Sequence, residues 1–324
     1  GTKASQVFTV DKVAPTIDVA YTTAGSVVTT GTDENSRLYK NEDITATVTI
    51  NERNFSKETG FSEDPKQMNL SYEAKNYKRD KDIKTENYTD SANTKDNWSS
   101  NTIERTTKFQ FTEDANYTLG ITYRDLAGNE VVYNTHYFTV DKTAPTGSIN
   151  IKGTNGESKS WIEWVKDVFF NIFTSGSKKV SITSEDETAG VATTQYYKYH
   201  PDAESRYTFQ GLTLEQLNNM TEDDWTLGSS SCSTSVDANE QAIVYEKIVD
   251  KAGNVRYINN QEGVIADNTA PEAPQIKISI ADPAQGIYNS NVPFTIDVKD
   301  PKKGETYAGL KEVYYEITNN GTVT

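Results

Sequence analysis

Strict alternation of apolar and polar residues marks most of the structured-looking stretches of this chain. In Ile44-Thr45-Ala46-Thr47-Val48-Thr49-Ile50 every second residue is apolar and threonines fill the positions between, the signature of a strand with one buried face. Tyr117 to Tyr123 repeats the alternation, a turn at Asp125 follows, and Tyr133 to Val140 supplies a returning strand, so this stretch predicts a hairpin. Thr16 to Tyr21, Met68 to Ala74 and Thr106 to Phe111 alternate in the same way. Together they reach the strand number of a β-sandwich of roughly seven strands.

A second set follows in Ser148 to Lys152, Lys179 to Ser184, Val191 to Tyr199, Ala242 to Asp250 and Val255 to Ile265. Gln275 to Ile280, Phe294 to Val298 and Leu310 to Thr318 begin a third set, in which no closing strands appear before residue 324. Three segments depart from the pattern. Residues 75–105 are rich in Lys, Asp, Asn and Ser with almost no apolar spacing, which predicts a long solvated loop. Thr213 to Met220 predicts a short helix, because Thr213 is a capping residue and Leu214 and Leu217 share a face. Trp161 to Val165 leads into Val168 to Phe173, an apolar run read as a strand region.

One punctuation mark recurs between the sets: Asp11-Lys12-Val13-Ala14-Pro15, Asp141-Lys142-Thr143-Ala144-Pro145 and Asp267-Asn268-Thr269-Ala270-Pro271. The spacings, 130 and 126 residues, match the size of one compact domain. Asp125-Leu126-Ala127-Gly128-Asn129 precedes the second mark and Asp250-Lys251-Ala252-Gly253-Asn254 the third. Each repeat therefore closes with a turn, a last strand and a proline-marked exit. The expected organisation is all-β, with residues 1–11 as the last strand of a preceding unit or a tag remnant. Sandwich domains follow at 12–142 and 143–268, and a partial one at 269–324. Proline at each exit fixes its own φ and restrains the residue before it, which stiffens the linker.

Charge narrows the partners. With 32 Lys and Arg against 47 Asp and Glu, the net charge is −15, which argues against nucleic acid or anionic membrane and leaves divalent cations open. A single cysteine, Cys232, rules out a disulfide framework within the chain. No apolar stretch reaches membrane-spanning length, so no insertion by this segment is expected.

The turn Asp-Xaa-Ala-Gly-Asn has a structural reading, in which Gly128 and Gly253 supply positive φ, the aspartate accepts amide hydrogen bonds, and Asn129 and Asn254 complete the turn. It also has a functional one, in which Asp11, Asp125, Asp141, Asp250 and Asp267 supply oxygen ligands to calcium. In a sandwich the turn before the last strand lies opposite that strand's exit. A cation would therefore bridge neighbours, for example Asp141 with loops of the following unit. No other cofactor is expected. Trp98 in the polar loop, with Tyr88 upstream, forms a candidate sugar-stacking platform, whereas Trp161, Trp164 and Trp225 read as core or lid residues. His136 and His200 stand in no zinc spacing, and Cys232 has no neighbouring base, so catalysis is not expected.

These motifs resemble the bacterial immunoglobulin-like repeat domains strung along large Gram-positive surface proteins. The resemblance rests on Asp125 to Asn129 with Phe138 to Pro145, on Tyr245 to Asn254 with Ile265 to Pro271, and on the parallel between Asp300 to Tyr315 and Asp186 to Tyr197. It implies tandem immunoglobulin-like β-sandwiches in a linear, extracellular array at the bacterial cell surface or cell wall. The implied role is a non-enzymatic stalk or adhesin, or alternatively a carbohydrate-binding accessory module of a surface glycan-degrading enzyme. Its partners would be neighbouring domains of the same chain and a host or environmental glycan or protein. Lys-to-Asn isopeptide staples also occur in such domains, but no local motif here singles out a triad. Val13 and Asn268 depart from the boundary pattern, and the polar insertion in the first unit is unusual for this group.

Overall fold

Where alternation is strict, the chain forms strands. In a computed structural model the described residues are 8, 10–52, 68–76, 79–87, 99–100, 104–125, 127–151, 167–201, 208–259, 262–279, 291–303, 306, 308–319 and 322–323. The first repeat contains β1 (Thr16–Thr23), β2 (Ser26–Val28), β3 (Leu38–Lys40), β4 (Ile44–Asn51), β5 (Met68–Asn76), β6 (Arg79–Asn87), β7 (Ser99–Ser100), β8 (Glu104–Phe111), β9 (Ala115–Arg124) and β10 (Glu130–Val140). They form two five-stranded sheets, in the orders β2-β1-β4-β8-β7 and β3-β10-β9-β5-β6, with β3 parallel to β10.

Register follows the apolar spacing. Ile17 lies opposite Ile50, Val19 opposite Val48 and Tyr21 opposite Ala46, so these six apolar side chains share one face. That face meets Tyr117, Leu119, Ile121 and Tyr123 of β9 and Phe138 and Val140 of β10 in a single core. Phe138 ties the two sheets together, with its ring 5.6 Å from Tyr21, 4.9 Å from Phe111 and 5.3 Å from Tyr117. Each such buried side chain contributes about 1.5–3 kcal/mol of transfer free energy.

The predicted loop over 75–105 is not a loop throughout. Residues Arg79–Asn87 form β6, paired antiparallel to β5, and Ser99–Ser100 and Glu104–Phe111 form β7 and β8. β6 lacks an apolar stripe because it is the last strand of its sheet, and sheet edges favour charged residues that discourage further pairing. Trp98, Tyr88 and Tyr77 lie outside the described residues, as do Trp161 and Trp164.

The second repeat continues with β11 (Thr146–Ile151), β12 (Asp167–Thr174), β13 (Lys178–Glu185), β14 (Val191–Tyr199), β15 (Thr208–Gln210), β16 (Thr226–Leu227), β17 (Ser231–Val236), β18 (Glu240–Asp250), β19 (Val255–Asn259) and β20 (Glu262–Ala266). The single strand predicted over Val255 to Ile265 is thus two strands. β11-β13-β17 form one sheet, and β15-β12-β20-β18-β14-β16 form another, with β19 beside β18. Helix α1 (Leu214–Asn219) starts at Thr213, whose hydroxyl accepts from the Gln216 amide while the Gln216 side-chain oxygen accepts from the Thr213 amide, a capping box. α1 and Trp225 cover the outer face of β18 through Leu217, Ile243, Tyr245 and Ile265. Trp225 is therefore a covering residue, buried against Tyr197 and Tyr257.

The third repeat contributes β21 (Gln275–Ile278) paired with β22 (Phe294–Asp297), and β23 (Thr318–Asn319) paired with β24 (Thr322–Val323). The strand predicted over Leu310 to Thr318 is absent up to Ile317, and Val313, Tyr314, Tyr315 and Ile317 are exposed. Alternation is a necessary but not a sufficient condition for a strand, which also depends on the pairing of its backbone groups.

By contact the chain divides into two units. One is Gly1–Thr146 with Glu185–Ala192 and Ile248–Arg256, and the other is Gly147–Ser184, Thr193–Lys247 and Tyr257–Thr324. The short stretches in the first unit are the loop after β13 and the turn after β18. Among the described residues no helix is long and apolar enough to cross a membrane. Leu119→Ala, which empties a site with no exposed surface in the first core, is expected to lower the stability of that unit by about 2–5 kcal/mol in urea unfolding.

Candidate functional site

The recurring boundary aspartate closes a small turn on its own chain. Asp11 Oδ1 accepts from the Val13 amide at 2.9 Å, Asp141 Oδ1 from Thr143 at 3.2 Å and Asp267 Oδ1 from Thr269 at 2.9 Å. This is a side-chain turn that asparagine or aspartate forms readily. The second carboxylate oxygen reaches further along the sequence. Asp141 Oδ2 accepts from the Ala189 amide at 2.9 Å, and Asp267 Oδ2 from the Ala308 amide at 2.7 Å. Ala189-Gly190 and Ala308-Gly309 are equivalent Ala-Gly steps, with glycine φ of 80° and 78°. Each glycine amide donates to an upstream aspartate, Gly190 to Asp186 and Gly309 to Asp300, both at 2.6 Å.

The Asp-Xaa-Ala-Gly-Asn turn is built identically twice. Asp125 Oδ1 accepts from the Asn129 amide and Oδ2 from its side-chain nitrogen, each at 2.7 Å. Asp250 holds Asn254 in the same way at 2.9 and 2.7 Å. Gly128 and Gly253 take φ of 92° and 93°, a conformation glycine adopts without a Cβ penalty. The asparagine side chain then donates to the boundary backbone: Asn129 to the Asp11 carbonyl at 3.3 Å and Asn254 to the Asp141 carbonyl at 2.8 Å.

Turn aspartates and boundary aspartates consequently converge, in the pairs Asp11 with Asp125 and Asp141 with Asp250. Each pair gains a third carboxylate. Glu52 joins the first and Asp186 the second, with ligand oxygens in each group all within 4.8 Å of one another. Asp267 belongs to no such group among the described residues. Glu52 and Asp186 were missed from sequence because neither sits in the boundary or turn motif. The visible signal was the parallel between Asp186 to Gly190 and Asp300 to Gly309, which reads equally as a loop. An all-oxygen, three-carboxylate set suits a hard cation such as calcium rather than a thiolate- or imidazole-seeking metal. Hydrogen bonds already occupy part of the second group: Asp186 Oδ1 accepts from both the Thr188 and Gly190 amides, whereas Asp141 Oδ1 and Oδ2 each accept one bond from an amide and keep a lone pair for a cation.

Supporting residues fix the second group. Asn116 donates to the Thr188 carbonyl at 2.8 Å and accepts from the Thr139 hydroxyl. Arg256 donates to the Ala144 carbonyl, and the Lys251 ammonium lies 5.5 Å over the Tyr39 ring. Lys142 pairs with Asp43 at 2.8 Å, and the Thr143 hydroxyl donates to Asp114 at 2.6 Å, which accounts for Lys and Thr in that boundary. Asn268 replaces the lysine of the other boundaries and pairs instead with Asn239 at 2.8 Å. Asp141 has no exposed surface. Burial, together with the charges of Asp186 and Asp250, outweighs its amide hydrogen bonds and pushes its pKa up to about 7. Burial also raises that of Asp250.

The remaining candidates occupy other surroundings. His136 lies 2.7 Å from the Thr30 hydroxyl, stacks on Tyr133, and has its pKa lowered by burial. His200 lies 2.7 Å from Glu240, and Cys232 is half-buried opposite Ile182. In comparisons with known proteins, no family model matches the chain and no curated sequence is similar to it.

Raised carboxyl pKa values favour the folded state at low pH, because the folded chain binds the proton more tightly than the unfolded one. With divalent ions chelated, stability is expected to fall as pH rises from the ordinary carboxylate range to about 7. Asp141→Asn is expected to flatten that slope in thermal unfolding followed across the same range.

Proposed function

We propose that this chain is a non-enzymatic stalk or adhesin segment of an extracellular bacterial surface protein, assembled from tandem immunoglobulin-like β-sandwiches. The observation that carries this reading is the recurrence of one linker construction. An exit aspartate is bonded to the Ala-Gly loop of the next repeat at both Asp141 and Asp267. A turn asparagine is bonded to the boundary carbonyl at both Asp11 and Asp141. A binding or catalytic pocket needs to be built only once in a chain. Repeated linker chemistry is what a load-bearing or projecting array requires.

Calcium completes this reading. Held by Asp141, Asp186 and Asp250, and by Asp11, Glu52 and Asp125, it would neutralise carboxylates that otherwise repel and would lock linker to loop. The strongly acidic chain accords with an environment rich in divalent cations and with partners other than nucleic acid. A glycan or protein ligand at the surface remains part of the proposal. The carbohydrate-module alternative rested on Trp98 and Tyr88, which lie outside the described residues.

The test is thermal unfolding of the whole chain in chelator and in millimolar calcium, paired with small-angle scattering under both conditions. Calcium is expected to raise the midpoint, by an amount equivalent to about 2.7 kcal/mol at a hundredfold excess over Kd. Asp186→Asn and Asp250→Asn should each abolish most of the rise at the second group. An unchanged midpoint would remove calcium from the reading. Scattering typical of freely hinged domains under both conditions would overturn the stalk itself.

A further inference from the structure

Strand β18 carries a carboxyl group where its counterpart in the first repeat carries a hydrocarbon. Aligning the turn aspartates Asp125 and Asp250 places Leu119 with Val244, Ile121 with Glu246 and Tyr123 with Ile248. In the first repeat all three positions face the core between the two sheets. The same alternation turns Ala242, Val244, Glu246 and Ile248 away from the Ile243 and Tyr245 face that α1 and Trp225 cover. Glu246 has no exposed surface, and among the described residues neither carboxyl oxygen has a hydrogen-bond partner.

Among the described residues, no charged or titratable group on the neighbouring strands bonds to Glu246. On β14, Lys198 donates to Glu240 and to the Ser235 carbonyl, and Glu240 also meets His200. On β19, Arg256 donates to the Ala144 carbonyl, and Tyr257 stacks near Trp225. On β18 itself, Lys247 pairs with Glu222 at 2.6 Å and Asp250 holds Asn254. β11 carries no charged residue. β13 brings Lys178, Lys179 and Glu185, and β17 brings Cys232. None of them perturbs Glu246, whose pKa is pushed up to about 8 by burial alone. An unpaired carboxylate in an apolar core is costly enough that the group takes a proton instead.

We propose that Glu246 is a proton latch, a core acid that lets the second repeat close tightly only while it is neutral and loosens β18 when it ionises. Below the ordinary carboxylate range the proton is bound in folded and unfolded chains alike, and the latch is fully closed. As pH rises the unfolded chain releases its proton first. The contribution is then lost steadily until the folded group also ionises, and above that point it stays lost. The first repeat, with Ile121 at this position, has no such device.

The test is chemical unfolding of the whole chain with divalent ions chelated, comparing wild type, Glu246→Ile and Glu246→Gln across the neutral range. The advantage of Glu246→Ile over wild type is expected to grow about tenfold in the folding equilibrium per pH unit and to level off near pH 8. Because the comparison is made at equal pH, titration of Asp141 and Asp250 cancels. At neutral pH the wild type should also show a stronger infrared carbonyl band of protonated acid than Glu246→Gln, Asp141 contributing equally to both, a readout that survives if Glu246→Ile fails to fold. An advantage independent of pH, variants less stable than wild type throughout, or a protonated-acid band equal in wild type and Glu246→Gln would each overturn the latch.

Discussion

A buried aspartate at the end of a strand carries the organisation of this chain. Asp141 follows the last core residue of β10, has no exposed surface, and divides its carboxylate between the Thr143 and Ala189 amides. Amide donors to a charged acceptor are stronger than neutral pairs. A single side chain therefore fixes the direction of the exit and the conformation of a loop 48 residues further on. Asn254 adds the Asp141 carbonyl to the same arrangement. This is why the contact units include Glu185–Ala192 and Ile248–Arg256 with the first repeat.

The arrangement creates electrostatic tension. Three carboxylates with oxygens within 4.8 Å repel unless a proton or a cation intervenes, and the raised pKa of Asp141 is the protonic answer. Asp141 and Glu246 arrive at raised values by different routes. Around Asp141, neighbouring charges add to burial while amide donors oppose it, so the site holds charge at modest cost and suits a cation. Around Glu246 burial acts alone and nothing opposes it, so only a proton serves. The same residue class thus does opposite work at the strand ends and in the core.

Threonine-rich strands explain how so acidic a chain still folds. In β4 the apolar face is completely buried while threonines face outward, giving β-branched packing without hydrophobic surface. The edge strand β6 is densely charged in sequence, a composition that discourages pairing with other chains.

Much of this could be read from the sequence. Period-two alternation identified β1, β4, β9, β10 and β18, because a one-residue slip would expose every core side chain. Turn chemistry identified the Gly128 and Gly253 turns, since local steric demands are written in local residues. The polar strand β6, the division of Val255 to Ile265 and the missing strand before Ile317 were not readable, because each depends on whether a neighbour supplies hydrogen bonds. The candidate site shows the same boundary. Sequence named Asp11, Asp125, Asp141 and Asp250 by their motifs, but only the folded chain brought Glu52 and Asp186 to them, while among the described residues Asp267 joins no comparable group. Spacing along a chain determines which face a residue occupies. Which distant carboxylates meet is decided by how loops from separate strands pack together, and no local pattern encodes that.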